Sequence, residues 1–341
     1  MAFKITLQPS RHGFPCDAEQ SILQAAMDHG FIMPYGCRNG ACGSCKGRVL
    51  AGRVDHGPSQ ESALPPEERA AGLALFCCAR PQSDLVLECR EVGSLSDIPI
   101  RKLPVRVQKM ERLAADVMVL HLKLPATERL LFLAGQYLDI LLKDGRRRSF
   151  SIANAPHDDA FLQLHLRLVP DGHFTRHVFD EMKEREILRI EGPLGSFYLR
   201  EESAKPIVFV AGGTGYAPIR AVIEHALHNH IGRSMVLYWG ARDPAGLYLD
   251  AEPQRWAAMA PNFRYVPVLS DALPEHAWSG RTGLVHRAVM EDFADLSGHQ
   301  VYACGAPAMI DAAKADFSKL CGLPIEEFYA DSFTYAADSS P

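Results

Sequence analysis

The stretch "FIMPYGCRNGACGSCKGR" at residues 31–48 carries Cys37, Cys42 and Cys45 among four glycines, and "LFCCARP" adds Cys77 and Cys78. Thiols gathered this way support three kinds of chemistry: disulfide closure, zinc binding, or ligation of an iron–sulfur cluster. Seven of the nine cysteines, Cys16 and Cys89 included, precede residue 90. An odd total in a chain expected in a reducing compartment argues against disulfides and for metal or cluster ligation.

Cys37, Cys42 and Cys45 are spaced C-x4-C-x2-C, with the next cysteines at 77 and 78. That is the plant-type [2Fe–2S] ligand spacing. Structural zinc sites take CxxC pairs two at a time, and the second pair here is adjacent. Only one side chain of an extended dipeptide faces inward, so either Cys77 or Cys78 is the fourth ligand, and spacing does not choose. Gly36, Gly40, Gly43 and Gly47 are expected to take positive φ and bring backbone N–H groups close to the sulfurs. Cys16 and Cys89 read as small buried hydrophobes.

Further along, "RRRSFSIAN" contains Arg148, Phe150 and Ser151. They are expected on one face of a strand, with arginine gripping a pyrophosphate and the aromatic stacking on a flat ring. "LRLVPDGHFT" reads as a glycine turn before a helix. "VFVAGGTGYAP" is a strand, a glycine turn and a helix start, the geometry that seats a pyrophosphate on a helix N-terminus, although it lacks the GxGxxG form. "YACGAPAM" places Cys304 at a second strand end, and Arg242 in "YWGAR" can reach a ribose phosphate.

These residues sit in a chain of 341, long enough for two or three cores, with 47% hydrophobic and 23% charged residues and net charge −5. That balance argues against nucleic-acid binding, which needs a basic excess. No apolar run approaches a membrane span, and "MAFKITLQPS" lacks a signal peptide's apolar core, so a cytoplasmic protein is expected.

Three domains are expected. Residues 1–95 open with the strand "FKITLQP", in which Phe3, Ile5 and Leu7 alternate. A capping box of Asp17 and Gln20 should start the helix "SILQAAMDHG", ended by Gly30. Strands follow at "CKGRVLAG" and "DLVLECREV". A linker at 96–102, within "GSLSDIP" and just beyond it, leads to a strand-rich domain at 103–201. There Met118, Leu120, Leu122 and Leu124 share a face, and Leu162, Leu164, Leu166 and Leu168 alternate with Gln163, His165 and Arg167, which suggests an antiparallel barrel. From 202 to 341, strands "PIVFVAGG", "SMVLYWGAR", "FRYVPVLS" and "QVYACGAP" alternate with helices at "APIRAVIEHALHNH", 251–259, 285–293 and 308–320. That is the rhythm of a doubly wound parallel sheet. "AADSSP" reads as a solvated tail.

"PYGCRNGACGSCKG" with "LFCCARP" resembles the plant-type ferredoxin domain of bacterial oxygenase reductases. "RSFS" is similar to the RxYS flavin motif of the ferredoxin-reductase superfamily, with Phe150 in place of Tyr and one hydroxyl lost. "GGTGYAP" and "CGAP" match the nicotinamide loops of the same superfamily. The resemblance spans the chain in one order and identifies it as a member of the ferredoxin–NAD(P)H reductase fusion family. It is most specific to reductases similar to CDP-6-deoxy-3,4-glucoseen reductase.

The resemblance implies a multidomain α+β and α/β fold: a β-grasp ferredoxin, an antiparallel β-barrel FAD domain and a doubly wound NAD(P) domain. The implied cofactors are a [2Fe–2S] cluster, FAD, and NADH with NADPH as the alternative. It selects Cys77 as fourth cluster ligand and leaves Cys78 where relatives often have Gln. It implies flavin and nucleotide contacts from Arg148, Ser149, Phe150, Ser151, His165, Arg167, Gly172, Phe174 and Thr175, with Gly172 and Thr175 at the FAD phosphates. It likewise implies Gly213, Thr214, Gly215, Pro218, Arg242, Gly305 and Phe333. Ser151, Cys304 and Asp331 are implied at the reacting centre, the last two with Pro307 nearby and the aromatic Phe333 after Asp331.

The implied activity is to take hydride from a nicotinamide and pass single electrons to a partner protein, a CDP-deoxysugar dehydrase. The alternative is an aromatic-ring dioxygenase or a phenol-hydroxylase-type monooxygenase, and a non-catalytic redox sensor is a more distant one. A monomer without nucleic-acid or membrane partners is expected. Through residue 95 the chain has nine Lys or Arg and ten Asp or Glu. Arg38, Lys46 and Arg48 in the cysteine loop are therefore expected to dock an acidic acceptor.

Overall fold

On β1 (Ala2–Gln8) Ile5 and Leu7 are fully buried while Lys4 stays exposed, the two-residue period of a strand packed on one side. The computed structural model describes residues 2–89 and 98–334. The domain boundary expected near 95, residues 96–97 of the expected linker and the tail "AADSSP" lie outside them. The chain forms two compact units, Met1–Pro99 and Ile100–Pro341.

In the first unit β1 is followed by β2 (Gly13–Asp17), α1 (Ile22–Asp28), β3 (Lys46–Ala51), β4 (Val54–Asp55), α2 (Pro66–Ala70), β5 (Leu73–Leu75), β6 (Arg80–Pro81) and β7 (Leu85–Glu88). The main sheet has the order β2-β1-β7-β3-β5. Its central pair, β1 and β7, is parallel and the outer pairs are antiparallel, a β-grasp sheet. The start of α1 differs from expectation. Asp17 still belongs to β2, and its carbonyl takes the Gln20 N–H in a turn. Ser21, in an extended conformation, is the cap, and its hydroxyl accepts the Gln24 N–H at 3.3 Å. Gly30 ends the helix as expected. At φ 80° it donates to the Met27 carbonyl, and Phe31 donates to Ala26, a Schellman closure.

The second unit holds two sheets. β8 (Arg101–Ala114) begins inside the expected linker, followed by β9 (Val117–Lys123), β10 (Tyr137–Leu141), β11 (Arg147–Ser151), β12 (Leu162–Arg167), the short α3 (His173–Arg176) and β13 (Ile187–Leu194). These strands run antiparallel in the order β11-β10-β13-β8-β9-β12. A bridge between Ile152 and Leu164 joins the two ends and closes the barrel. Leu120, Leu122, Leu164 and Leu166 fill its interior.

β14 (Ile207–Gly212), α4 (Tyr216–His228), β15 (Met235–Ala241), α5 (Ala251–Met259), β16 (Phe263–Leu269), β17 (Arg281–Thr282), α6 (Val285–Asp292), β18 (Gln300–Gly305), α7 (Pro307–Leu320) and β19 (Phe328–Ser332) complete the unit. All six strands are parallel, in the order β17-β16-β15-β14-β18-β19. Alternate residues of one strand feed opposite cores: Ile207, Phe209 and Ala211 one, Val208 and Val210 the other. A sheet covered on both faces reads as a continuous apolar run, which is why "PIVFVAGG" was legible as a strand. The strand order reverses between β14 and β18, and a crevice opens at the carboxyl ends of strands at such a switch point.

Leu164 is 0% exposed at the barrel seam, whereas Leu131 is 57% exposed. Leu164→Ala should cost about 2–5 kcal/mol, seen as a lower denaturant midpoint for barrel unfolding. Leu131→Ala should stay within about 0.5 kcal/mol.

Candidate functional site

The cysteine loop is organised by its own backbone. Cys37 Sγ accepts the Cys42 N–H at 3.3 Å, and Cys42 Sγ accepts the Cys37 N–H at 3.4 Å. The Cys42 thiol hydrogen bond, aided by the N–H groups of Asn39, Ala41 and Cys42, outweighs burial and pulls the Cys37 thiol down to about 7. The nearby Cys45 thiol pushes the Cys77 thiol up to about 12. The four thiols are thus grouped two and two. Two irons that each need two protein sulfurs ask for that grouping, whereas one tetrahedral zinc asks for four ligands around a point.

Positive φ falls at Gly40 (78°) and Gly43 (73°), and also at Arg38 (61°), where no glycine marks it. Gly36 and Gly47 do not take positive φ, which corrects that part of the expectation. Gly47 is bare because a Cβ there would lie 2.3 Å from the Phe76 ring. Arg38 keeps Nη1 buried without a protein partner, a donor that an anionic cluster could satisfy. These residues fit a [2Fe–2S] cluster. Of the residues expected to dock an acidic acceptor, Lys46 and Arg48 already have partners within the chain. Lys46 pairs with Glu68 at 2.5 Å, and Arg48 donates to the Ala71 carbonyl at 2.8 Å with Glu88 at 3.7 Å.

In the barrel, β11 departs from the expected shared face. Two-residue alternation puts Arg148 and Phe150 on one side and Ser149 and Ser151 on the other. Phe150 meets Phe174 at 5.7 Å between ring centroids, and Ser149 donates to Asp139 at 2.6 Å. Gly172 caps α3, but the left-handed residue of its turn is Asp171, at φ 63°. Gly172 is bare for a steric reason, since a Cβ would lie 2.7 Å from Thr175 Oγ1. That hydroxyl ties the turn together, accepting the Val169 N–H at 3.2 Å and donating to the Gly172 carbonyl at 3.1 Å. A half-exposed aromatic face beside a basic strand and a helix-opening turn fits FAD.

The strand ends of the parallel sheet meet β11. Ser151 donates to Asp331 Oδ2 at 3.4 Å across 180 residues of sequence. Cys304 and Asp331 are neighbours in register on β18 and β19, and the Phe333 N–H donates to the Gly305 carbonyl at 2.9 Å. Ser151, Cys304 and Asp331, expected together, are together. Burial pushes the Asp331 carboxyl up to about 6, and the Ser151 hydrogen bond works against that rise. Burial, with the nearby Asp331 charge, pushes the Cys304 thiol well above its ordinary value, so it stays neutral.

A cavity of about 640 Å³ opens beside these ends and is lined by Gly213, Thr214, Arg242, Tyr248, Ser270 and Met309, among others. Gly213–Gly215 form a tight turn into α4, held by the Trp239 indole N–H on the Gly213 carbonyl at 3.0 Å. Pro218 is buried in the first turn of α4. The dimensions and the helix N-terminus fit a dinucleotide.

His165 and Arg167, grouped by resemblance with the flavin contacts, face this side. His165 shares a hydrogen bond with the Tyr248 hydroxyl at 2.9 Å, and burial holds its imidazole neutral, well below the usual range. Arg167 pairs with Asp116 at 2.8 Å, and a Cβ on Gly213 would lie 3.1 Å from its Nη1. Tyr248, Asp116 and the Arg220–Glu252 pair were not anticipated. Only Arg220 left a signal, as a charge inside the apolar helix "APIRAVIEHAL".

Residues 5–82 match the family described as 2Fe-2S iron-sulfur cluster binding domain, residues 104–198 the Oxidoreductase FAD-binding domain, and residues 209–315 the Oxidoreductase NAD-binding domain. The chain is 40% identical to the CDP-6-deoxy-L-threo-D-glycero-4-hexulose-3-dehydrase reductase of Yersinia pestis, over 98% of this chain and 99% of the relative. It is 36% identical to reductase component 2 of terephthalate 1,2-dioxygenase from Comamonas sp., over 98% of each. The crystal structure of the Amycolatopsis cytochrome P450 reductase GcoB superposes with a TM-score of 0.79 at 35% identity, covering 98% of this chain and 99% of that one. The cysteine loop, the barrel strand and the dinucleotide crevice occur in the order these relatives share. The chain therefore belongs to the ferredoxin–NAD(P)H reductase fusion family, as an NAD(P)H-dependent FAD and [2Fe–2S] reductase that delivers electrons to a partner.

Proposed function

We propose that this reductase feeds electrons to a CDP-deoxysugar dehydrase. The observation that carries the reading is the 40% identity, over essentially full length, to reductases named for that system. A second reading, service to a dioxygenase or phenol-hydroxylase-type monooxygenase, is supported by relatives at 36% and 33% identity. The domain limits go with this reading: ferredoxin at 1–95, the barrel beginning with β8 at Arg101 and running to 201, nucleotide domain from 202. The net charge of −5 supports a protein that does not bind nucleic acid, and we take it as a cytoplasmic monomer.

When bound, FAD would supply two-electron chemistry toward a nicotinamide and a [2Fe–2S] cluster one-electron chemistry toward the acceptor. The chain's own residues then have separable tasks. Cys37, Cys42, Cys45 and Cys77 hold the irons, and the Cys37 and Cys42 amides donate to sulfur. Arg148 and Phe150 serve a phosphate and a flat ring. The Gly213–Gly215 turn presents the α4 N-terminus to a pyrophosphate. Cys304, small and neutral, allows close approach at the strand end.

Ser151 and Asp331 move a proton. Each hydride that leaves as two separate electrons strands one proton in a buried place. Asp331 Oδ2, which accepts the Ser151 hydroxyl at 3.4 Å, would take that proton through Ser151. A base must be ionised, so acceptor-coupled turnover should rise with pH through about 6.

Three outcomes follow from this reading. NADH oxidation coupled to a purified CDP-deoxysugar dehydrase should run at least about tenfold faster than coupling to an aromatic-ring oxygenase, and the reverse order would overturn the acceptor assignment. Asp331→Asn should lower acceptor-coupled turnover about 100-fold and flatten its rise near pH 6. Stopped-flow flavin bleaching by NADH should slow much less in that variant; equal slowing would place Asp331 in hydride transfer instead.

A further inference from the structure

Cys78 is a fifth thiol at the cysteine loop, and none of the tasks above uses it. Its Sγ lies 3.7 Å from Cys77 Sγ, and the residue is buried, 7% exposed, while Cys77 is half-buried. The surroundings are shaped around it. A Cβ on Gly40 would come within 2.7 Å of Cys78 Sγ, so the loop is bare where this sulfur rests. A Cβ on Gly57 would come within 2.5 Å of the Cys78 carbonyl, so a second segment closes over its backbone. The Cys78 and Ala79 N–H groups both donate to the Leu75 carbonyl, at 3.0 and 2.8 Å, which fixes the turn that aims the side chain.

We propose that Cys78 is a positioning residue whose S–H donates a hydrogen bond to the sulfur of Cys77 and thereby favours the reduced cluster. The inference rests on the reading of Cys77 as the fourth ligand. An iron-bound cysteine sulfur carries no proton, so within this pair only Cys78 can donate. Donors to a ligating sulfur stabilise the state with more negative charge, here the one that holds the extra electron. A thiol is a weak donor, so the effect is modest.

The test uses the full-length holoprotein and reads iron and labile sulfide, the cluster EPR signal, and the cluster midpoint potential. Cys78→Ala should keep its full iron and sulfide but lower the equilibrium constant for reducing the cluster about threefold, a fall of ~28 mV at ~59 mV per tenfold for one electron. Cys78→Ser, with a stronger donor of similar size, should hold the potential at or above wild type. An unchanged potential in Cys78→Ala would show that Cys78 only fills space, overturning the inference while leaving Cys77 as ligand. Loss of the cluster in both Cys78 variants, with retention in Cys77→Ala, would overturn the ligand reading itself. Should Cys78→Ala fail to load, Cys78→Ser decides, and a threefold loss there overturns the proposal.

Discussion

The nucleotide half of this reductase is built around a contact that admits no side chain. At the start of α4, a Cβ on Gly215 would lie 2.1 Å from the Cys304 carbonyl oxygen and 2.5 Å from its carbon. A helix N-terminus therefore rests directly on the end of β18, at the place where strand order reverses. A second, looser approach lies beside it, where a Cβ on Gly305 would lie 3.2 Å from Gly212 Cα. Any larger residue would lift the helix from the strand. With it would go the crevice, the amides aimed into it, and the adjacency of Cys304 and Asp331 to the barrel's Ser151.

Around that contact the strand ends carry groups that burial shifts toward their uncharged forms. His165 and Cys304 are both displaced toward their uncharged forms, and burial raises the Asp331 carboxyl to about 6, so that it ionises only above that pH. The Arg220 charge nearby is paired. Arg220 binds Glu252 through two nitrogens, at 2.7 and 2.9 Å, and donates to the barrel's Ala153 carbonyl at 2.7 Å. Such a buried pair adds little net stability, but removal of one partner strands the other at a cost of about 3–5 kcal/mol. Its value is registry, because it ties α4 to the end of the barrel whose seam lies at Ile152 and Leu164.

The cysteine loop follows a different logic, in which the backbone does what side chains do elsewhere. Reciprocal N–H donation between Cys37 and Cys42 both shapes the loop and supplies partial positive charge to sulfur. Its glycines are not interchangeable: two supply left-handed conformation, and Gly47 makes way for the Phe76 ring. Basic residues that look available in the sequence are already engaged, Lys46 by Glu68 and Arg48 by the Ala71 carbonyl.

Much was legible in one dimension because it depends on short spacings. Alternation of Leu162, Leu164 and Leu166 announced a half-buried strand, and the apolar runs of β14 and β18 announced a sheet covered on both faces. The C-x4-C-x2-C spacing pointed the thiols to an iron–sulfur cluster ahead of zinc, and Gly30 marked a helix end. Contacts that join distant elements left no such trace. No periodicity links Ser151 to an aspartate 180 residues away. Nor does any local pattern turn His165 and Arg167 toward Tyr248 and Gly213, decide that Ser21 and not Asp17 caps a helix, or set Cys78 against Gly40. The sequence by itself determined which elements form and which residue types are at hand, since those follow from local sterics and burial period. Only the tertiary structure decided which side chains face one another, because that depends on how whole sheets pack and where their strand order reverses.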